Sequence, residues 1–256
     1  MHESTRNAQE LYDEFPFGEF CYGSERTSYY PLLDEFLSRI GPKDTLADVG
    51  CGAGFWMDAY LARGIPRANI TAVDLAPSNV ERLKARGFEA FVGDVTRLDF
   101  PDGAFAFTIC AGVIHHAPDP ARAFSELVRV TKPGGAIYVS VYNKWHPYFY
   151  VVHKATFPLR YAYWNVNRRV ADWVYPLWKL ATQPAARVAL GRFLDDRTCR
   201  TLFMDQVMTP HAHLFSRRDL ESYAAAHGAK VSKVGPALKR LMLAAIVDVG
   251  AMQNHA

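Results

Sequence analysis

No CxxC pair occurs among the four cysteines, Cys21, Cys51, Cys110 and Cys199, so the sequence offers neither a zinc knuckle nor a redox dithiol. Scattered single thiols fit a reducing, cytoplasmic setting. No apolar run approaches the roughly 18 residues of a membrane span, and residues 1–9 are polar, without the apolar stretch of a secretory leader. Charge of either sign is not in excess: the formal net charge is +3 over 256 residues, too small to mark a chain built around nucleic-acid phosphates. Repeats and low-complexity tracts are absent too. What is present is a globular composition, 50% hydrophobic and 21% charged, which predicts a single domain over 1–256 with local insertions.

Hydrophobic patterning predicts its order. Residues 45–49 are a short apolar run closed by glycines, and a helix-compatible stretch follows to Gly64. Residues 69–73 repeat the strand signal, Pro77 opens a helix and Gly87 closes it. Residues 89–92 and 105–111 read as a third and a fourth strand, a helix over 121–130 ends at Pro133-Gly134-Gly135, and 136–142 is a fifth strand. After Tyr142 the rhythm lapses for about 70 residues. It resumes with Ser216, an N-cap three residues before Asp219, and then with two strands over 230–234 and 241–247 turning at Gly235-Pro236. This pattern predicts an α/β fold: a Rossmann-like, mostly parallel seven-stranded sheet with helices on both faces, a C-terminal antiparallel hairpin and an aromatic-rich helical lid insertion. The expected divisions are an N-terminal helical cap over 1–40, a Rossmann-like core over 41–144 and 214–250, and a lid over 145–213.

Gly50-Cys51-Gly52-Ala53-Gly54 follows the first strand and opens a helix, where glycine lets a ligand approach the backbone closely. Phe55 stands where a GxGxxG dinucleotide fingerprint needs glycine, which argues against a nicotinamide dehydrogenase. Acids sit where successive parallel strands end: Asp48, Asp74, and Asp94 just beyond the third. Asp74 is placed to accept both hydroxyls of a ribose, and Asp94 to accept from an adenine amino group.

These segments together carry a family resemblance. Leu46-Ala47-Asp48-Val49-Gly50-Cys51-Gly52-Ala53-Gly54 resembles the first motif of class I S-adenosylmethionine-dependent methyltransferases, Ala72-Val73-Asp74-Leu75-Ala76 the second and Gly93-Asp94-Val95 the third. Ile114-His115-His116 with Asp119-Pro120 is similar to the segment after strand four in the ubiquinone and menaquinone methyltransferase group, and Val130-Thr131-Lys132-Pro133-Gly134-Gly135 to the turn before strand five. The resemblance implies S-adenosyl-L-methionine as cofactor, with S-adenosyl-L-homocysteine as its product. It implies that the backbone of Gly50, Cys51, Gly52 and Gly54 faces the methionine portion, and that Asp48 supports the loop and the ammonium. Asp74 would take the ribose, Leu75 and Val95 would sandwich the adenine, and Asp94 would hold its amine. Ala111, closing strand four, completes the expected cofactor set, and His115 would border the methyl-transfer cavity.

The parts outside the motifs select the acceptor. Residues 143–215 are crowded with aromatics, among them Trp145, Tyr148, Phe149, Trp173 and Trp178, with Trp173, Leu177 and Leu180 at helical spacing. They read either as an ordinary lid core or as the walls of an apolar acceptor pocket. The N-terminal segment is similarly rich, with Tyr12, Phe15, Phe17, Phe20 and Tyr22; Tyr12-Asp13 resembles a pair that closes the cofactor site in related enzymes, and Arg26 is placed to meet the cofactor carboxylate. Methyl transfer rests on positioning and on removal of the acceptor's proton. Candidate bases are His115 and His116 first, then His211 and His213 flanking Ala212, with Tyr12 alongside. His211 and His213 with Asp205 also suggest a metal site, but no further ligand cluster supports one and none is expected. The expected partner is a small, apolar or aromatic methyl acceptor, without nucleic acid; the aromatic insertion also admits weak membrane-surface contact or a homodimer contact. The alternatives are an RNA or protein methyltransferase using basic pairs such as Arg168-Arg169, Arg217-Arg218 and Lys239-Arg240, or a non-catalytic methyltransferase-fold scaffold.

Overall fold

The structure, a computed structural model, describes residues 3–16, 29–190 and 193–250. Strands β1 (Leu46–Val49), β2 (Ile70–Asp74), β3 (Glu89–Val92), β4 (Phe105–Ala111), β5 (Thr131–Tyr142), β6 (Ala229–Ala237) and β7 (Met242–Val249) form one sheet in the order 3-2-1-4-5-7-6. The first five run parallel, and β7 pairs antiparallel with both β5 and β6. β1 and β2 are buried at every position, so their unbroken apolar runs need cover on both faces. Among the helices α1 (Glu3–Glu14), α2 (Pro31–Leu37), α3 (Met57–Ala62), α4 (Pro77–Ala85) and α5 (Pro120–Val130), α2, α3 and α4 share one core with Leu46 and Ile70. Ala47 and Val49, one residue out of phase, pack in the other core with α5. Chain order runs outward from β1 to β3 on one side and from β4 to β5 on the other, so the loops at the carboxyl ends of β1 and β4 diverge and leave a crevice between them.

Between β5 and the last helix the chain forms α6 (Pro147–Ala155), α7 (Phe157–Asn165), α8 (Val170–Leu190) and α9 (Asp196–Phe203), followed by a π-turn over Met204–Met208. Leu11 of α1, Tyr163, Tyr175 and Phe203 give these helices a third core of their own. Helix α10 (Arg217–Ala226) starts with a reciprocal Ser216–Asp219 capping box, as the spacing predicts, and packs in the core that holds α5.

Two local expectations are corrected. The β6–β7 turn lies at Leu238–Arg240, where Leu238 and Arg240 adopt positive φ, and Gly235 and Pro236 instead pair with Ala244 and Leu243 inside the ladder. β6 is the outer strand, and at an edge a proline's missing N–H costs no ladder bond. β5 begins at Thr131, not 136: Thr131 pairs with Phe105, and the Pro133-Gly134-Gly135 turn is absorbed as a register shift before Ala136 meets Phe107.

Candidate functional site

A cavity of about 600 Å³ opens at the crevice. Its floor is made by the segments that leave β1, β2, β3 and β4: Gly50 to Gly52, Asp74 and Leu75, Gly93 to Val95, and Ala111 to Val113. Gly52 is held at φ +55°, a conformation that favours glycine, and its N–H donates to Asp74 Oδ2 at 2.7 Å. Asp74 Oδ1 accepts from Ala76 N at 2.9 Å and Asn79 Nδ2 at 3.0 Å. One buried carboxylate thus ties the glycine loop to the start of α4. Burial raises the Asp74 carboxyl above its ordinary range, against these hydrogen bonds. Its Oδ1 has both acceptor positions filled, and Oδ2 keeps one, so a ribose would meet a single open acceptor position on this carboxylate. Asp94 spends Oδ1 on Thr96 N and Oγ1, both at 2.8 Å.

Two of the expected cofactor residues lie outside the lining. Asp48 points away, buried beneath the loop, where it accepts from Tyr60 OH at 2.9 Å; burial pushes its carboxyl up to about 7. Gly54 is a packing residue: φ is +89° and a β-carbon would stand 2.6 Å from Leu83 Cδ2 of α4. Cys51 does line the cavity, with burial holding its thiol well above the usual range.

Helix α1 closes over this floor. Gln9 Nε2 donates to Leu75 O at 3.1 Å, Asp13 accepts from Ser78 N at the start of α4, and Tyr12 reaches across to Asp205, 193 residues away, at 3.1 Å. Arg26, Phe17, Phe20 and Tyr22 lie outside the described residues.

The far end of the cavity is aromatic, with Tyr12, Tyr142, Tyr148, Phe149 and Trp178 in its wall. Asp205, on the π-turn, is its polar centre. Oδ1 accepts from Tyr12 OH, Oδ2 accepts from Tyr142 OH at 3.0 Å, and His116 Nε2 stands 3.5 Å from Oδ1. Single π-turns recur at functional sites because they re-aim a side chain. His116 Nδ1 lies 2.9 Å from His211 O; a carbonyl can only accept, so Nδ1 carries the proton and Nε2 offers a lone pair. Burial lowers His116 below the ordinary histidine range, with Asp205 opposing, and so favours the neutral ring. Nε2 is buried and no donor among the described residues reaches it. His115, also in the wall, stacks on Tyr142 with centroids 3.8 Å apart and is likewise held neutral by burial.

His211 and His213 do not line the cavity, a correction to their reading as candidate bases. Residues 209–213 run behind the turn after β4, so that His211 gives its carbonyl to His116 and His213 its N–H to His115 O at 2.8 Å. Among the described residues no group of three His, Cys, Asp or Glu side chains could hold a metal ion. Sequence reading considered Asp205 only as a metal ligand and missed its place here; its partners come from positions 12, 116 and 142, so no spacing in the chain announces it.

A doubly wound sheet with a nucleoside-sized crevice at its switch point, glycine backbone on one side and carboxylates at the ends of two neighbouring strands, is the arrangement of the class I methyltransferase fold. A profile of the family described as "Methyltransferase domain" matches residues 47–139. The chain is 32% identical over 104 residues to a ubiquinone biosynthesis O-methyltransferase of Xanthomonas oryzae, covering 38% of this chain and 42% of that protein. It is 33% identical over 145 residues to human "Probable tRNA methyltransferase 9B", covering 55% and 31%. The chain therefore spans less than half the length of these curated relatives. A solved S-adenosylmethionine-dependent methyltransferase of Methanosarcina mazei superposes with a TM-score of 0.55 at 19% identity, over 87% of this chain and 98% of that one, a likeness of fold. Fold, site and family match make residues 47–139 a class I S-adenosylmethionine-dependent methyltransferase domain, whose family cofactor is S-adenosylmethionine. The cavity fits that molecule, with apolar Leu75 and Val95 beside open acceptor positions on Asp74 and Asp94.

Proposed function

We propose that the protein is an S-adenosylmethionine-dependent methyltransferase acting on a nitrogen or oxygen of a small, apolar or aromatic molecule. One observation carries the choice of acceptor: His116 Nε2 and Asp205 Oδ1, both acceptors, face each other at 3.5 Å in an aromatic chamber. Two lone pairs that close repel unless a donor enters, and an acceptor's N–H or O–H supplies it. Bound S-adenosylmethionine would supply a methyl carbon on a positively charged sulfur that leaves as a neutral thioether. As the acceptor atom takes the methyl, its bond to hydrogen breaks and the proton passes to His116 Nε2. The resulting imidazolium is held by His211 O on one side and Asp205 on the other, and Tyr12 and Tyr142 fix that carboxylate in place. Asp74, Leu75, Asp94 and Val95 would hold the nucleoside, and Gly50 to Gly52 the amino-acid portion. The similarity to a ubiquinone biosynthesis O-methyltransferase supports this reading.

The similarity to a tRNA methyltransferase favours a second reading, methylation of an RNA base. Incubating the purified protein with radiolabelled S-adenosylmethionine and, separately, total RNA or a metabolite extract tells them apart. Label in small organic molecules is expected. Label in RNA alone would replace the proposal, and failure of calorimetry to detect S-adenosylhomocysteine binding would remove both readings.

A further inference from the structure

The cavity does not end at its aromatic wall. On α8, Trp178, Thr182 and Ala186 all line it; at about 100° and 1.5 Å per residue they share one side of the helix and span about 12 Å. The other side, with Trp173, Leu177 and Leu180, is exposed. Nearer the start of α8, Ala171 and Tyr175 are buried in the third core, so the helix covers packed protein over its first half and cavity over its second. The facing wall comes from the segment that leads into the π-turn. Leu194 and Leu202 line the cavity there, and Leu202 precedes Asp205 by about one helical turn. Gln183 of α8 fixes this wall, its Nε2 donating to Leu194 O at 2.8 Å and its Oε1 accepting from Leu194 N at 3.0 Å. Between the two walls these side chains present no charge and no free donor: Thr182 Oγ1 donates to Trp178 O at 2.9 Å within its own helix, and Ala186, Leu194 and Leu202 are apolar. A passage of this kind binds by withdrawing apolar surface from water, and it is continuous with the chamber that holds His116 and Asp205.

We infer that the methyl acceptor is an amphiphile: its N–H or O–H sits between His116 and Asp205, and an apolar chain attached to it lies along Thr182, Ala186, Leu194 and Leu202. The inference rests on the acceptor chamber proposed above and adds to it a subsite that measures the length of the chain. Asp74, Leu75, Asp94 and Val95 belong to the floor at the strand ends, so cofactor and chain occupy separate parts of the cavity.

Titration calorimetry of the full chain with S-adenosylhomocysteine, and then with 4-n-alkylphenols from methyl to nonyl, tests this directly. Each added methylene should tighten phenol binding about fourfold until the passage is filled. Thr182→Phe and Ala186→Phe should bind S-adenosylhomocysteine and 4-methylphenol as the parent does, which shows that both are folded. Both should end the series early, Thr182→Phe at a shorter chain than Ala186→Phe because it lies nearer to Trp178. A series that tightens equally in all three proteins would put the chain outside the passage and overturn the inference. Affinity that ignores chain length, or no binding of any phenol, overturns it too while leaving the methyltransferase reading in place if S-adenosylhomocysteine binds. Failure of S-adenosylhomocysteine itself to bind removes that reading and this inference with it.

Discussion

The two ends of the cavity are built differently. The cofactor end is assembled from turns that each follow a strand directly, and its polar contacts are largely backbone groups fixed by the sheet, such as Gly52 N to Asp74. The end proposed for the acceptor is assembled from side chains on four separate elements, α1, the turn after β4, β5 and the π-turn, that meet at Asp205. Sheet register positions the first. Only the docking of α1 and the lid helices onto the core positions the second. The cofactor end should therefore tolerate changes in the lid, whereas the acceptor end should fail with loss of a single side chain.

The sharpest way to break this contrast is at His116. His116→Gln should lower kcat by about 10²–10⁴-fold, the usual worth of a general base, with S-adenosylhomocysteine affinity unchanged by calorimetry; a matching loss of cofactor affinity would mean that the two ends are one unit. The pH profile should sharpen it. A base works unprotonated, and burial together with the Arg160 charge lowers His116 while Asp205 and the His211 carbonyl raise it. The parent's rate should thus fall only on the acid side of the ordinary histidine range, and the variant should lose that limb.

The next effect lies beneath the cofactor loop. Asp48 is buried with its carboxyl pushed up to about 7 from 3.8, so the native state holds a proton that the unfolded chain releases from about pH 4 upward. Stability is lost as pH rises through that window and is flat above it. Asp48→Asn should remove the dependence and gain up to about 4 kcal/mol above pH 7, read as a gap in thermal midpoint between variant and parent that widens from pH 4 to pH 7. A gap that does not change with pH would show the carboxyl to be ionised throughout.

Smaller again is the effect expected at Asp74. Asp74→Ala removes a carboxylate that accepts three hydrogen bonds from the protein and should weaken cofactor binding by about 1–2 kcal/mol, roughly tenfold, seen by titration calorimetry. Unchanged affinity would leave the ribose to other groups and the carboxylate to the loop alone.

Most of the core was legible because its signals are local. An apolar run closing on glycine, Pro77 opening a helix and Ser216 three residues ahead of Asp219 each involve neighbours in the chain. The β6–β7 turn was misplaced because Gly235-Pro236 carries turn chemistry that an edge strand also accepts, and no local signal says which strand is outermost. Gly54 fits the motif but serves Leu83 rather than the cavity, a difference visible only once α4 is packed. The outward stripe of α8 was legible as helical spacing, yet spacing alone does not say whether a stripe faces a core or solvent.

By itself the sequence determined the order of strands and helices, the glycine turn after β1 and the acids at the strand ends, because hydrogen-bonding geometry within a β–α unit is settled over a few residues. Tertiary structure alone decided that Tyr12, His116, Tyr142 and Asp205 converge, that His211 stands behind His116 and accepts from its ring through a backbone carbonyl rather than lining the cavity, and that Asp48 is sealed under the loop. Contacts between residues so far apart in the chain arise from how the lid and α1 bury their apolar faces against the core, and that burial constrains area and shape without fixing which polar groups it brings together.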